Sequence, residues 1–217
     1  MTGSGGAYDR GGSKGVVHVS EHDRSPPAGG GGQSSGQGRK SWESKGNGTF
    51  RQKIAEAERS AEHANDGYGQ RHPGGALGRY QITPNTLLQT GWKIGGTWTD
   101  KARQHGVTSD DDFLNSPEAQ EAAMSDIMRE AELQADSKGL YGHSGKTYNG
   151  VGGKTVKITD GGIAAAAHRH GAGATKNYLR RRANGQQAKT PEDRTRDKQI
   201  EKRLRDFENA PYTRGNW

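Results

Sequence analysis

The chain has 217 residues, 35 glycines, no cysteine and only 28% hydrophobic residues. An ordinary soluble domain is close to half apolar, so this composition cannot supply a buried core along the whole length, and we expect part of the chain to be disordered. The absence of cysteine excludes disulfide scaffolds, thiolate metal sites and cysteine nucleophiles. The net charge is +7, and residues 176–205 carry 11 Lys/Arg against 4 Asp/Glu, which suits an anionic polymer as partner.

Residues 1–48 contain 14 glycines and few aliphatic side chains. Such a segment cannot offset its ordering entropy by burial, so we predict a disordered Gly/Ser-rich arm over residues 1–48. Within it, residues 15–20 (GVVHVS) are interpreted either as a strand that docks on a partner's sheet or as a chance apolar cluster. The first ten residues lack the apolar stretch of a secretory signal, which predicts synthesis in the cytoplasm without a signal peptide.

The pattern changes at Thr49. Apolar residues at i, i+4, i+7 and i+11 from Phe50 predict an amphipathic helix from Thr49 to about Ala64. The following glycine-punctuated stretch, residues 68–82, is typical of loops with a short hairpin.

Three Ser/Thr-Pro pairs mark further helix starts, because the first residue caps the helix and proline suits its first turn. They predict helices after Thr83, Ser116 and Thr190, the second of which ends at Gly139. In the last helix an apolar stripe of Ile200, Leu204 and Phe207 is expected to face inward. Its cations are expected to turn mostly toward solvent: Arg194, Arg196, Lys198, Lys202, Arg203 and Arg205.

Residues 156–158 suggest a brief strand, and Thr159 then caps an alanine-rich helix that ends near His168 and is followed by another over residues 175–182. We therefore predict one mainly α domain over residues 49–217 with minimal strand content and a basic C-terminal helix. His168 and His170 are interpreted as cations at a helix C-terminus rather than as metal ligands, since residues i and i+2 diverge on a helix. No metal site is predicted.

Glu58 lies on the face of the first helix that should point inward, whereas Glu56 and Glu62 lie off that face. Burial disfavours the charged form of a carboxylate, and a protonated carboxyl can act as a general acid. The alternative is a buried ion pair between Glu58 and Arg59, Arg79 or another cation.

Residues 54–60 (IAEAERS) and 75–86 (GALGRYQITPNT) resemble the lysozyme superfamily, and residues 158–174 (ITDGGIAAAAHRHGAGA) resemble a segment of phage and secreted lysozyme-like proteins. The similarity is greatest to lytic transglycosylases and phage-type muramidases, in which a helix-borne Glu, usually followed closely by Ser, precedes a G-A-x-G-x-x-Q-I-x-P-x-T segment. It covers about residues 49–182 and implies a lysozyme-like helical domain.

The match departs from the pattern at Arg59, which separates Glu58 from Ser60 and leaves Glu56 or Glu62 open as the acid. The resemblance implies that Glu58 protonates the glycosidic oxygen of the β-1,4 bond between N-acetylmuramic acid and N-acetylglucosamine. The reaction that the resemblance implies needs no cofactor. The same resemblance implies substrate contacts from Ser60, Tyr80, Gln81 and Thr83. The alternative for residues 80–82 is simple packing under the first helix.

An ordinary glycosidase needs a second carboxylate, and Glu62 and Asp66 are the candidates nearest in sequence. Lytic transglycosylases manage with a single Glu because the acetamido group of the substrate assists. The sequence therefore does not decide whether the product is a hydrolysed sugar or a 1,6-anhydro sugar.

The glycine-rich N-terminal segment resembles the translocation arms of colicin-type bacteriocins. The resemblance implies release from the producing cell, an outer-membrane receptor, import proteins and an immunity protein as partners, and action on peptidoglycan in the periplasm of competing bacteria. Two alternatives remain: a phage virion-associated muramidase, and a non-catalytic module that binds cell wall or nucleic acid. The chain carries no RNA or DNA motif, so nucleic acid is not expected as a partner.

Overall fold

The computed structural model describes residues 40–217, and this part of the chain is mainly helical with little strand, as predicted. Its helices are α1 (Gly48–Ala57), α2 (Pro84–Gln89), α3 (Asp100–Arg103), α4 (Asp110–Asn115), α5 (Pro117–Ser137), α6 (Asp160–His170), α7 (Ala172–Ala183) and α8 (Pro191–Asp206). Two antiparallel pairs join β1 (Lys93–Ile94) to β2 (Thr97–Trp98) and β3 (Thr147–Asn149) to β4 (Thr155–Lys157). No helix among the described residues is long and apolar enough to cross a membrane.

The predicted helix starts are confirmed by their caps. The side chains of Thr83, Ser116 and Thr190 each accept a hydrogen bond from a backbone N–H in the first turn of α2, α5 and α8, and Thr159 does the same for α6. The short helices α3 and α4 were not predicted. Helix α4 nevertheless has a local signal, because Ser109 begins it in a reciprocal capping box.

The first helix is shorter than predicted, since α1 ends at Ala57 instead of near Ala64. Arg59 adopts a left-handed backbone (φ 59°) and ends the helix, and the Ser60 N–H bonds to the Ala55 carbonyl at 3.0 Å. This position usually holds glycine, which is why the sequence carries no stop signal there. Glu58 is therefore the last residue before the chain turns away.

Residues 40–48, which composition assigned to the arm, pack on the helical part. Trp42 is buried, and the Arg79 guanidinium carbon lies 3.6 Å from the centre of one of its rings. The Asn47 side chain bonds to the carbonyls of Thr213 and Asn216 at 2.9 Å. The structured part thus begins before the predicted boundary at Thr49. The remaining arm and its residues 15–20 lie outside the described residues.

Helix α6 packs against α5, α7 and α8 with a buried face of glycine and alanine. A Cβ added at Gly162 would lie 3.2 Å from the Leu204 carbonyl, so glycine lets α6 and α8 approach closely. This packing brings the C-terminal end of α6 and the last turn of α8 to the end of α1, where Glu58 lies.

Candidate functional site

Glu58 is drawn inward at the end of α1, as its position on the apolar face predicted. Its side chain is 9% exposed, whereas Glu56 and Glu62 are exposed. Glu56 instead accepts a hydrogen bond from Gln52, one helical turn earlier, at 2.9 Å. Of the three carboxylates weighed as the acid, Glu58 is therefore the partly buried one.

The sequence predicted apolar neighbours for Glu58, but the side chains that surround it in the structure are cationic. Arg169, at the end of α6, places Nη1 3.2 Å from Oε2 of Glu58, and Arg203, on α8, places Nη2 3.6 Å from Oε1. The proposed partner Arg79 points elsewhere, since its guanidinium donates to the Asp66 carbonyl at 2.7 Å. Glu58 is thus ion-paired, as the alternative interpretation predicted, but its partners are Arg169 and Arg203 instead of Arg59 or Arg79.

Glu58 borders two open depressions of the surface. One has a volume of about 510 Å³, and its polar lining includes Glu58, Arg169, His170, Lys202, Arg203 and Asp206. The other has a volume of about 270 Å³, and its lining includes Glu58, Arg59, Ser60, His63, Arg71 and Gln81. An extended ligand that occupied both would pass the Glu58 carboxylate.

Arg203 is an exception to the prediction that the cations of the last helix face solvent. Its side chain is only 7% exposed, and its guanidinium carbon lies 4.5 Å from the centre of the Phe207 ring. Burial lowers the pKa of Arg203 from its usual value. The signal was present, because position 203 is three residues after Ile200 and four before Phe207, on the apolar stripe. Arg194, Arg196, Lys198 and Lys202 are exposed as expected, whereas Arg205 is partly buried and pairs with Glu201 at 2.7 Å.

The interpretation of His168 and His170 as cations is wrong at neutral pH. Burial, followed by the charges of Arg203 and Arg169, lowers the pKa of His168 to about 3. Burial and the same two arginines lower the pKa of His170 to about 4. Both rings are therefore neutral at pH 7, and the positive charge near Glu58 comes from arginine.

Tyr80 does not line either depression, contrary to the resemblance. It is 2% exposed, and its hydroxyl donates a hydrogen bond of 2.6 Å to Oε1 of Glu121, which also accepts from Tyr68. Arg51 neutralises Glu121 through a 2.8 Å contact to Oε2. Burial and the Glu121 carboxylate raise the pKa of Tyr80, which keeps it a neutral donor. This is the alternative of packing under α1, and it anchors the segment that carries Gln81.

Gln81 reaches the site from a tight turn. Its backbone is left-handed (φ 47°), its side chain donates to the Gly78 carbonyl at 2.8 Å, and it lines the smaller depression beside Glu58. Gly78 is required here, because a Cβ would lie 1.9 Å from Oε1 of Gln120. The same oxygen accepts from the Arg79 N–H at 2.9 Å, so the buried Gln120 holds the turn in place.

Ser60 and Thr83 have structural partners. The Ser60 hydroxyl is buried and contacts the carbonyls of Ala55 and Arg79, which ties the end of α1 to the Gln81 turn, and the residue also borders the smaller depression. Thr83 is exposed, caps α2 and is not among the residues that line either depression. The structure therefore brings Ser60 and Gln81 to Glu58, and leaves Thr83 apart.

Neither Glu62 nor Asp66 lines the depressions beside Glu58. Asp66 pairs instead with Lys40 at 2.9 Å. Asp206 does line the larger depression, where Lys202 holds its carboxylate at 2.6 Å. The sequence did not single out Asp206.

Comparisons with protein-family models, curated proteins and solved structures give no match to this chain.

Proposed function

We propose that this chain is a peptidoglycan-degrading glycosidase of lysozyme-like type, with Glu58 as its general acid. The observation that carries the proposal is the position of Glu58, which is a partly buried carboxylate at the junction of two open depressions. A glycan strand is an extended ligand, and its cleavage needs an acid at the bond between two occupied sugar sites. The Gln81 turn, which carries the resemblance to lytic transglycosylases, borders the same carboxylate.

The chemistry of the proposal is proton donation. The Glu58 carboxyl gives its proton to the oxygen of the scissile bond, so the leaving sugar departs with a free hydroxyl. Either water or the 6-hydroxyl of the N-acetylmuramic acid forms the new bond to the anomeric carbon and gives up a proton in doing so. The carboxylate that forms lies 3.2 Å from Arg169 and 3.6 Å from Arg203, and these positive charges stabilise it as it develops. Gln81, on the other side, offers an amide that can hold a sugar hydroxyl or acetamido group.

The physiological part of the proposal is delivery to the periplasm of competing bacteria. It rests on the glycine-rich sequence of residues 1–39 and on its resemblance to bacteriocin arms. A receptor, import proteins and an immunity protein are its proposed partners.

The decisive experiment is the digestion of purified murein sacculi, followed by mass spectrometry of the soluble fragments. We expect disaccharide-peptides whose N-acetylmuramic acid is either a free reducing sugar or a 1,6-anhydro sugar, and the mass difference of one water assigns the product. Sacculi that release peptides but no sugars, or that stay intact, would contradict the glycosidase.

A non-catalytic wall-binding module is the second candidate, and the exposed cations of α8 favour it. Murein is an anionic polymer, so a basic helix surface is attracted to it without any chemistry. Zymography on murein separates the two, since a binder leaves no cleared band.

A further inference from the structure

The larger depression beside Glu58 holds more positive charge than its own residues neutralise. Lys202 and Asp206 pair with each other at 2.6 Å, which leaves Arg169 and Arg203 facing the single carboxylate of Glu58. His170, on the same wall, is neutral at pH 7 because burial and the two arginines lower its pKa to about 4. The depression therefore carries a net positive charge close to the proposed acid.

Arg203 has unused hydrogen-bonding capacity. Its side chain is 7% exposed, and within residues 40–217 its Nε and Nη2 have no hydrogen-bond partner. The 3.6 Å separation between Nη2 and Oε1 of Glu58 is too long for a hydrogen bond. Buried donors are normally paired, and an unpaired charged donor costs free energy that a ligand oxygen can recover.

Arg169 supplies the accessible half of the pair. Its side chain is 53% exposed at the end of α6, so it can contact a ligand and Glu58 from the same position. Guanidinium groups match the planar, two-oxygen geometry of a carboxylate and bind it through paired hydrogen bonds.

We infer that Arg169 and Arg203 form a subsite for a carboxylate of the peptide that the substrate glycan carries. For the identity of the glycan this inference rests on the proposed function. The arginines would thus recognise peptide-bearing strands over neutral glycans such as chitin.

The test is calorimetric binding of three short ligands to the full chain. They are a disaccharide-tetrapeptide from murein, the same fragment with its peptide carboxylates converted to carboxamides, and chitotetraose. The disaccharide contains the glycosidic bond that the proposed reaction leaves intact, so binding is measured without turnover. The variants are Arg169→Gln and Arg169→Lys, with Arg203→Lys as a second probe whose fold is checked by its melting curve.

The matched control is Arg129→Gln. Arg129 is 52% exposed and paired with Asp126 at 3.1 Å, but it is not among the residues that line this depression. We expect the wild-type protein and the Arg129 variant to bind the carboxylate ligand about tenfold more tightly than its carboxamide form. Arg169→Gln should abolish this difference, Arg169→Lys should retain part of it, and Arg203→Lys should reduce it.

A difference that persists in Arg169→Gln, or equal binding of both fragments by the wild-type protein, or no binding at all, would overturn the subsite. The outcome of the sacculus digestion is independent of the outcome of this binding test. Carboxylate-dependent binding without sugar release would keep the subsite and remove the glycosidase. Sugar release without carboxylate dependence would do the reverse.

Discussion

Arg203 on α8 directs its guanidinium at Glu58, the residue that caps the C-terminal end of α1, with Nη2 3.6 Å from Oε1. The contact joins helices from opposite ends of the described chain, and Arg169 on α6 completes it. Substitutions at this junction therefore act on the proposed chemistry and on helix packing at once, and rate and stability have to be measured together.

Replacing Glu58 by Gln should lower the rate of murein solubilisation by about a thousandfold or more, because the amide has no acidic proton to donate. The free energy of unfolding should fall by about 1–2 kcal/mol, since Arg203 loses its counter-charge. Turbidity loss of sacculi and urea unfolding measure the two effects.

The matched control is Glu56→Gln, two residues earlier on an exposed face, which should change the rate less than about threefold, as expected of surface sites. If Glu56→Gln or Glu62→Gln stops the reaction and Glu58→Gln does not, the assignment of the acid is wrong.

Tyr80→Phe should destabilise the protein without weakening substrate binding. The variant removes one donor from the buried Glu121 carboxylate, which costs about 1–2 kcal/mol in urea unfolding. Tyr148→Phe is the control, because that partly exposed hydroxyl bonds only to the His143 ring within residues 40–217 and should cost less. A raised KM on murein fragments for a fully folded Tyr80→Phe protein would contradict the buried role.

The stability of the protein should fall as the pH is lowered below about 6.5. His168 is neutral in the folded state, with its pKa lowered to about 3, so the unfolded state binds more protons between these two values. The contribution of neutral His168 to the free energy of unfolding is therefore fully present above pH 6.5. It is lost as the pH falls toward 3, by up to about 1.4 kcal/mol per pH unit.

Urea unfolding at several pH values, with His168→Gln, tests this dependence. The variant should show a shallower loss of stability between pH 6.5 and 4, whereas His63→Gln, at an exposed position, should match the wild type. Equal slopes in all three proteins would rule out a partly buried His168 that stays neutral in the folded state.

Changing Arg194, Arg196 and Lys198 to Gln should weaken binding to murein sacculi at low salt. These side chains are exposed on α8 and not among the residues that line the Glu58 depression, so turnover at saturating substrate should hold. The deficit should shrink as added salt brings the Debye length below about 10 Å. Lys138, Lys146 and Lys157, also exposed, give a charge-matched control triple. A selective loss of salt-sensitive DNA binding, with sacculus binding intact, would favour the binding module.

Deleting residues 2–39 should leave the melting temperature and the activity on purified murein nearly unchanged, because Glu58 and its depressions lie within residues 40–217. Killing of intact cells should be lost if the arm is needed for import. Deleting residues 2–48 is the informative partner, since it also removes the buried Trp42 and should cost about 3 kcal/mol or more. Full killing by the shorter deletion would remove the import proposal.

The sequence by itself determined the capped starts of α2, α5, α6 and α8 and the inward position of Glu58. Caps such as Ser116-Pro117 and the periodicity around Phe50 act within one or two turns, so they can be read locally. The same logic would have placed Arg203 inward, had its position on the stripe of Ile200 and Phe207 been given more weight than its charge.

The partners of Glu58 were decided only by tertiary structure. Arg169 and Arg203 reach it because Gly162 lets α6 and α8 pack closely, a relationship between segments that no local pattern encodes. Tyr80 turned into the core because Glu121, on α5, offers a buried carboxylate that its hydroxyl satisfies. Which face of a segment meets which partner is decided by burial and hydrogen bonding between distant elements, so it emerges only when the chain is packed.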